Sequence, residues 1–562
     1  MTTLAHILLQ SYQRDPNRVA VILQHAGQPD RSVTMRHLLE GASRYAQAYR
    51  QAGIQPGEVV ILILQHGEDL VYSFFGAVLG GQIPSIMPFL TEKLSPERYR
   101  ADLAALIGIT RPSAIVTYPE FETEVRSALK DGDSVRAVIN TGGIDSRFSP
   151  DLGLLPGLKR SPDDIVLLQH SSGTTGLQKG VALSHRAVLN QLDAYSQSMG
   201  LNSEDVIVSW LPLYHDMGLI AGFLMPILRE VKLVLLSPFD WVRAPYRLMQ
   251  AVSQYKGTLS WLPNFAYNFC AQKIRDRQLE GVNLSSWRAV INCSEPVRWE
   301  SHQLFYERFK PYGLRPNALQ TCYAMAENVF GVTQSNLNAQ PLVEEIDSEA
   351  YLTERVARLA QDGRPTLKMM SSGRAISNTR VRVLDDKHHD VPERVVGEIA
   401  LHSDCMLTGY YNRPDATQKA FTKDGWYLTG DYGYLVDGEL FVSGRKKDMI
   451  IVGGKNIYPQ DLESIASQVP GVHPGRVVAF GIYNEELGTE DVVIVAEVDT
   501  PDDAEREQIA DAVRQAVTRN SAIALRNVRL VSPPWIIKTS SGKTARSANR
   551  DKYLTEMAKR DG

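Results

Sequence analysis

Cysteine is scarce in this chain: Cys270, Cys293, Cys322 and Cys405 are the only four, and no two form a CxxC pair. Their spacing excludes a disulfide framework and a cysteine-based zinc site, and it suits a reducing compartment. Charge of one sign is also lacking. The formal net charge of -4 excludes a chain-wide attraction to nucleic acid or to a membrane surface. The start, MTTLAHILLQSYQRDP, has no basic opening, apolar run and small-residue cleavage site of a secretory leader. Together these features predict a cytoplasmic protein. One uncharged run, residues 71–90, is long enough to span a bilayer. Gly80-Gly81, Gln82, Pro84 and Pro88 interrupt it, which predicts a buried helix followed by a strand and no membrane span. Internal repeats and low-complexity segments are absent as well.

What is present is a long globular chain. At 562 residues it exceeds the ~250–300 residues at which a single core stops growing. Patterns of period 3.6 and runs of apolar residues alternate from the start. Helices are expected at 38–52 and 69–79, with strands at 59–64 and 83–87, which is the signature of a layered α/β sheet. After a Gly/Asp/Pro-rich loop at 141–158, Ser184 is placed to cap a helix with the stripe Val188, Leu192, Tyr195 and Met199. Strands follow at 231–236 and 289–291, and helices at 245–255 and 298–309. Residues 333–370 read as polar and irregular, with a charged helical piece near 348–360. Strands resume at 380–384, 397–401, 439–442 and 449–452. The charged joint Ser443-Gly444-Arg445-Lys446-Lys447-Asp448 marks a domain boundary. Beyond it, helices at 460–469 and 502–519 and strands at 477–481 and 491–498 precede a basic tail. The expected fold class is α/β. A large N-terminal domain, 1–444, of layered sheets and helices in several subdomains is joined through 445–448 to a small mobile α+β domain, 449–562.

The chemistry concentrates in a few short stretches. Residues 171–180 read SSGTTGLQKG between two β-like runs. Small residues let backbone N–H groups converge, and hydroxyls with the Lys179 ammonium add donors for a polyphosphate. Such composition also suits a surface hairpin, and Gln178 occupies the position where a Walker A loop needs glycine before its lysine. In Tyr323-Ala324-Met325-Ala326-Glu327 the aromatic can stack on a purine and the carboxylate can hold Mg²⁺ beside triphosphate oxygens. Thr429-Gly430-Asp431 offers a carboxylate on a turn for ribose hydroxyls, and Arg445 can reach the same sugar. The tail motif KTSSGKTAR at 538–546 ends like a Walker A loop, but Ile537 stands where that motif needs its first glycine.

Taken in order, LQHSSGTTGLQKG, LPLYHDMGLI, CYAMAE, WYLTGD, SGRKKDMIIVGGKN and KTSSGKTAR resemble the core motifs of the adenylate-forming superfamily over essentially the whole chain. The features Tyr214-His215-Asp216-Met217-Gly218, Pro263-Asn264-Phe265-Ala266-Tyr267, Glu295-Pro296-Val297-Arg298 and Tyr458-Pro459-Gln460-Asp461 look most like fatty-acyl-AMP ligases. The resemblance implies that Lys543 is the catalytic lysine, bridging carboxylate and α-phosphate, with His215 at the mouth of the acyl pocket. It implies Glu327, with Thr175, as the Mg²⁺ site. Ser171, Ser172, Gly173, Thr174, Thr175, Gly176 and Lys179 would bind the phosphates of ATP. Ser294, Glu295, Pro296, Tyr323, Ala324, Met325, Ala326, Asp431 and Arg445 would complete the nucleotide site. Lys447 falls at the hinge position.

The chain departs from the pattern in places. Ala324 replaces a usual glycine, and Cys293-Ser294 stand where Gly-Ala is common. Kinship with acyl-AMP ligases implies an insertion, within 333–370, that holds the small domain away from a CoA-competent pose. Val452-Gly453-Gly454-Lys455-Asn456-Ile457-Tyr458, by contrast, looks like an acyl-CoA ligase. The implied activity is activation of a carboxylic, fatty-type acid with Mg·ATP, release of pyrophosphate, and transfer to a phosphopantetheine thiol. The acceptor is an acyl carrier protein or CoA. An amino-acid-adenylating enzyme, with Asp216 clamping an ammonium, and an inactive acyl- or nucleotide-binding scaffold are the remaining alternatives. Joint retention of Lys543, Glu327, Asp431 and Arg445 weighs against the scaffold.

Overall fold

The computed structural model describes residues 2–89, 96–145, 155–170, 179–452, 455–484, 489–521, 525, 527–539 and 542–561. Its centre is a sheet of 13 strands that changes character halfway across. In one half, Val19–Gln24, Lys232–Leu236, Val206–Ser209, Leu259–Leu262, Ala289–Asn292 and Leu319–Ala324 run parallel. These strands are near-continuous apolar runs, as parallel strands covered on both faces must be. Beyond Leu319–Ala324 the order continues through Gly331–Gln334, Arg374–Ala375, Glu439–Arg445, Tyr427–Val436, Gly397–Ser403 and Thr379–Leu384, all antiparallel. Leu319–Ala324 is therefore the switch strand.

A second parallel sheet of four strands, ordered Ile83–Ile86, Val59–Ile63, Ala114–Thr117 and Ala137–Asn140, lies early in the chain. The uncharged run from 71 divides as expected: the Glu68–Gly80 helix ends at Gly81, which has φ 80°, and the Ile83–Ile86 strand follows. No helix among the described residues is long and apolar enough to cross a membrane. The Ser184 hydroxyl accepts from Ala187 N–H (3.1 Å) and caps the His185–Ser198 helix, whose expected stripe is buried. Two glycines let the next π-helical segment, Met217–Leu224, pack closely on the Val206–Ser209 strand and the turn after it: a Cβ at Gly218 would lie 2.2 Å from the Pro212 carbonyl, and one at Gly222 2.6 Å from Ser209 Oγ.

Three readings need correction. Residues 343–370 are not irregular: Val343–Asp347 and Thr366–Met370 pair antiparallel around a short Ser348–Thr353 helix. That helix stops well before 360 because Arg355 takes a left-handed φ of 58°. Asp431 sits inside the ten-residue Tyr427–Val436 strand, not on a turn. The basic C-terminal stretch is folded: a hairpin bridged at Lys538 and Thr544 leads into the Arg546–Asp561 helix.

The C-terminal part is a small α+β unit. The strands Val472–Asn484, Thr489–Val498 and Asn527–Val531 form its sheet, with Pro459–Ser467 and Asp503–Ser521 as helices. Its core is continuous with the Val343–Met370 segment, since Ile346, Tyr351 and Met369 are buried with Ile450, Ile457, Tyr458 and Leu462.

Candidate active site

A cleft of about 870 Å³ lies where the carboxyl end of the switch strand meets the C-terminal unit. Open α/β sheets bind ligands at this position, outside strand ends at a topological switch. Successive parallel strands deliver its residues. His215 follows Val206–Ser209, Phe265 follows Leu259–Leu262, Ser294 follows Ala289–Asn292, and Tyr323 and Ala324 end the switch strand, with Met325, Ala326 and Glu327 directly after it. Lys179, His215, Ser294, Glu295, Pro296, Tyr323, Ala324, Met325, Ala326, Glu327, Asp431, Arg445, Lys447 and Lys543 all line it. Ser171, Ser172, Gly173, Thr174, Thr175 and Gly176 lie outside the described residues.

Asp431 and Arg445 face each other across the strand pair Tyr427–Val436 and Glu439–Arg445, with Arg445 Nε 3.7 Å from Asp431 Oδ1. The ladder shifts register just beyond them, between Tyr432 and Gly433, as bulges beside active sites do. The Tyr323 hydroxyl donates to Asp431 Oδ2 (2.7 Å). Burial raises the Asp431 carboxyl above the ordinary range, and Arg445 and Tyr323 oppose the shift. Tyr323 therefore serves as a partner of Asp431, its ring packed with Val332, Ile399, Leu401 and Leu440. Glu398 steadies the same region, accepting from Gly430 N–H (3.2 Å) and pairing with Lys446 (2.8 Å).

Glu327 stands on a short 3₁₀ turn after the switch strand. Its Oε1 accepts from the Tyr410 hydroxyl (2.9 Å), whose oxygen lies 3.0 Å from that of Tyr427. Burial raises this carboxyl too, Tyr410 lowers it, and Asp216 adds repulsion. The donor set suits Mg²⁺: Tyr410 takes one oxygen of a hard carboxylate and leaves Oε2. Among the described residues no group of three or more His, Cys, Asp or Glu forms a protein cage for a metal. A cation held by one carboxylate and substrate phosphates is the usual Mg²⁺ arrangement.

Lys543 enters from the C-terminal unit. Thr539 N–H donates to the Lys543 carbonyl (2.8 Å), closing a hairpin whose tip includes Gly542 at φ 86°. A Cβ on Gly542 would meet the Phe265 ring at 3.3 Å, so the tip rests directly on the opposite wall. Lys543 is half-buried, not on an exposed tail. Burial lowers its ammonium, Asp216 opposes that shift, and Arg445 adds to it. His215 is pushed down to about 3 by burial and by Lys543, so it is neutral at physiological pH. Asp216 is already engaged: its Oδ1 accepts from Met217 N–H (2.8 Å), and the Lys543 charge opposes the rise that burial imposes on its carboxyl. Glu295 Oε2 accepts from Phe265 N–H (2.9 Å) and so caps the Asn264–Lys273 helix. Ser294 adopts φ 69°, a left-handed value that glycine would hold more cheaply.

Reading the sequence missed several contacts. Tyr410 carried no motif signal, and its role emerges only through pairing of Gly409–Tyr410 with Gly180–Ser184. Arg298 and Asp461, each named as a family feature, form an ion pair of 2.7 Å across the cleft. Arg546 holds the lysine hairpin by pairing with Asp448 (3.0 Å) and Glu463 (2.7 Å).

Residues 8–411 match the family model of AMP-binding enzymes. The chain is 28% identical over 569 residues to JamA of Moorena producens, a medium-chain fatty acid–acyl-carrier-protein ligase, covering 97% of this chain and 94% of that protein. It is 29% identical over 556 residues to the long-chain-fatty-acid–AMP ligase FadD26 of Mycobacterium tuberculosis, covering 94% and 92%. A solved structure from a study of fatty acyl-adenylate ligases of E. coli and L. pneumophila superposes with a TM-score of 0.89, at 27% identity over 99% of both chains.

Proposed function

The chain belongs to the AMP-binding enzyme family and is an adenylate-forming ligase, and from that premise we propose that it activates a fatty-type carboxylic acid and hands the acyl group to a carrier-protein thiol. In the first half-reaction a carboxylate oxygen bonds to the α-phosphorus of ATP while the bond to the β-phosphate breaks and pyrophosphate leaves. Both reactants are anions, so the task is positioning and charge neutralisation. Lys543, facing Asp216 and Arg445 in the cleft, carries this reading: it supplies a cation where acid and α-phosphate would meet. Asp431 would accept from the ribose hydroxyls, with Tyr323 and Arg445 holding its carboxylate in place. Glu327 would hold Mg²⁺, which neutralises the triphosphate when bound. Neutral His215 would line the acyl entrance.

In the second half-reaction the thiol sulfur bonds to the acyl carbon and AMP leaves, so Lys543 must give way to the thiol. We assign residues 445–448, between the Glu439–Arg445 strand and the Ile450–Val452 strand, as the joint about which the unit 449–562 turns, with Lys447 at its centre. Rotation about a few element-terminal residues is the usual way to present two sets of groups to one intermediate.

Two observations favour a carrier protein over CoA. JamA, similar over nearly the whole chain, is named for that acceptor. The Val343–Met370 segment also packs on the C-terminal unit, through Tyr351 against Tyr458 (ring centroids 5.8 Å) and Arg355 Nη2 donating to Asn456 Oδ1 (3.1 Å). The motif at 452–458 supports the second reading, an acyl-CoA ligase. Pyrophosphate release over a panel of aliphatic acids, followed by thioester yield with CoA and with holo carrier protein separately, decides the matter. Carrier thioester without CoA thioester is expected, and equal or greater CoA thioester would replace this reading with the second.

A further inference from the structure

The Glu327 carboxylate and the Gly180–Ser184 strand meet at one short segment that no motif singles out. Gly409–Tyr410 pairs antiparallel with Gly180–Ser184, Tyr410 opposite Val181. Tyr411 N–H donates to the Gly180 carbonyl (2.7 Å), and Leu407 N–H donates to the Glu327 carbonyl (2.8 Å). The backbone from 407 to 411 thus ties the Glu327 turn to the Gly180–Ser184 strand. From its middle the Tyr410 side chain reaches Glu327 Oε1 (2.9 Å), and Lys179 Nζ lies 4.6 Å from the centre of its ring.

The hydroxyl chemistry gives this segment a direction. Tyr410 has one proton, and giving it to Glu327 leaves its oxygen to accept from Tyr427, 3.0 Å away. Both tyrosines are buried, at 7% and 3% exposure, so water does not readily substitute. The terminal torsion of a glutamate is broad. A donor fixed on Oε1 sets the carboxylate plane and reserves Oε2 for a hard cation. Partners of this kind, one step removed from the metal, commonly change metal affinity by about 10–100-fold when removed.

We propose that Tyr410, backed by Tyr427, is a positioning residue that orients the Glu327 carboxylate toward the metal on the bound triphosphate and fixes it relative to the Gly180–Ser184 strand. This rests on the reading of Glu327 as the metal-holding acid. Tyr410→Phe keeps the ring beside Lys179 and removes only the hydroxyl. The readouts are Mn²⁺ bound in the presence of ATP, followed by electron paramagnetic resonance, and ATP affinity measured with Mg²⁺ and with EDTA.

Tyr410→Phe is expected to raise half-saturating metal by about 10–100-fold with metal-free ATP affinity unchanged. Glu327→Gln should shift metal binding the same way, and the double variant should shift it no further. Tyr427→Phe should give a smaller shift in the same direction, and it carries the comparison if Tyr410→Phe fails to fold. Normal metal binding in Tyr410→Phe beside impaired binding in Glu327→Gln overturns the positioning role alone. Normal metal binding in Glu327→Gln overturns the underlying reading and this role with it. Equal loss of metal-free and metal-bound ATP affinity in Tyr410→Phe would mark a purely structural tyrosine and also overturn the role.

Discussion

The two walls of the cleft hold their charges by different means. On the large side, Asp431 and Arg445 are register partners in one sheet, and Glu327 stands on the turn just after the strand where that sheet reverses. Their spacing is set by backbone ladders, and hydroxyls of Tyr323 and Tyr410 hold the carboxylates. On the small side, Lys543 rides a hairpin that Arg546 holds on Glu463 within the same unit, and its place against the large wall depends on contacts that can be broken: Gly542 against Phe265 and Arg298 on Asp461. On the proposed function, the difference separates binding from chemistry. Nucleotide affinity should depend on the large wall, and the rate of adenylate formation on whether the small wall is docked.

The largest effect that tests this separation is on Lys543. Lys543→Ala is expected to slow acyl-adenylate formation by about 10²–10³-fold, the cost of losing a preorganised charge partner in a transition state. ATP affinity should stay within a few-fold, measured by equilibrium binding. Because burial lowers the Lys543 ammonium, its charge is lost as pH rises through a value below the ordinary 10.5. The alkaline limb of kcat/KM, which reports free enzyme, should fall in that lower range. Lys543→Arg should move the limb out of the accessible range, since a guanidinium stays charged. An alkaline limb unchanged in Lys543→Arg would assign it to another group.

Next in size is the large wall. Asp431→Ala is expected to weaken ATP binding through lost charge-assisted hydrogen bonds, worth about 1.5–3 kcal/mol, or about 10–150-fold in Kd. The rate at saturating ATP should fall far less. A loss confined to kcat would mean that Asp431 acts on chemistry and that the two walls are not separable in this way.

How much of this was legible beforehand follows from the same contrast. Of the parallel strands, Val59–Ile63, Ile83–Ile86, Lys232–Leu236 and Ala289–Asn292 could be read directly, as could the capped His185–Ser198 helix, because apolar runs and a Ser cap leave local traces; others, the switch strand Leu319–Ala324 among them, were not read. The order of motifs also pointed to Glu327, Asp431, Arg445 and Lys543. What brings them together was not legible. Asp431 read as a turn because Thr-Gly-Asp is turn-like, yet its strand is imposed by pairing with Glu439–Arg445 and Gly397–Ser403. The Val343–Asp347 and Thr366–Met370 pair was missed because three of the five residues of the first strand are acidic and their partner core lies in another part of the chain. Tyr410 left no trace, since a two-residue strand has no periodicity.

The smallest effect sharpens the contrast most. Arg298 and Asp461 retain only 19% and 13% side-chain exposure and lie 2.7 Å apart, one on each wall. The Arg298 backbone N–H also donates to Asn264 Oδ1 (3.2 Å), which keeps the large-wall end in place without the ion pair. Exposed pairs contribute about 0.2–1 kcal/mol and charge-assisted bonds somewhat more. Asp461→Asn or Arg298→Met should therefore reduce docking, and with it adenylate formation, by about 5–10-fold. ATP affinity should be unchanged, because neither residue touches Asp431 or Glu327. Transfer from chemically supplied acyl-adenylate to the thiol should hold steady or improve, because that step needs the hairpin withdrawn. The reversed pair, Arg298→Asp with Asp461→Arg, should recover part of the adenylation rate. Equal losses in ATP affinity and adenylation, or a reversed pair no better than either single variant, would show that the two walls act as one rigid site.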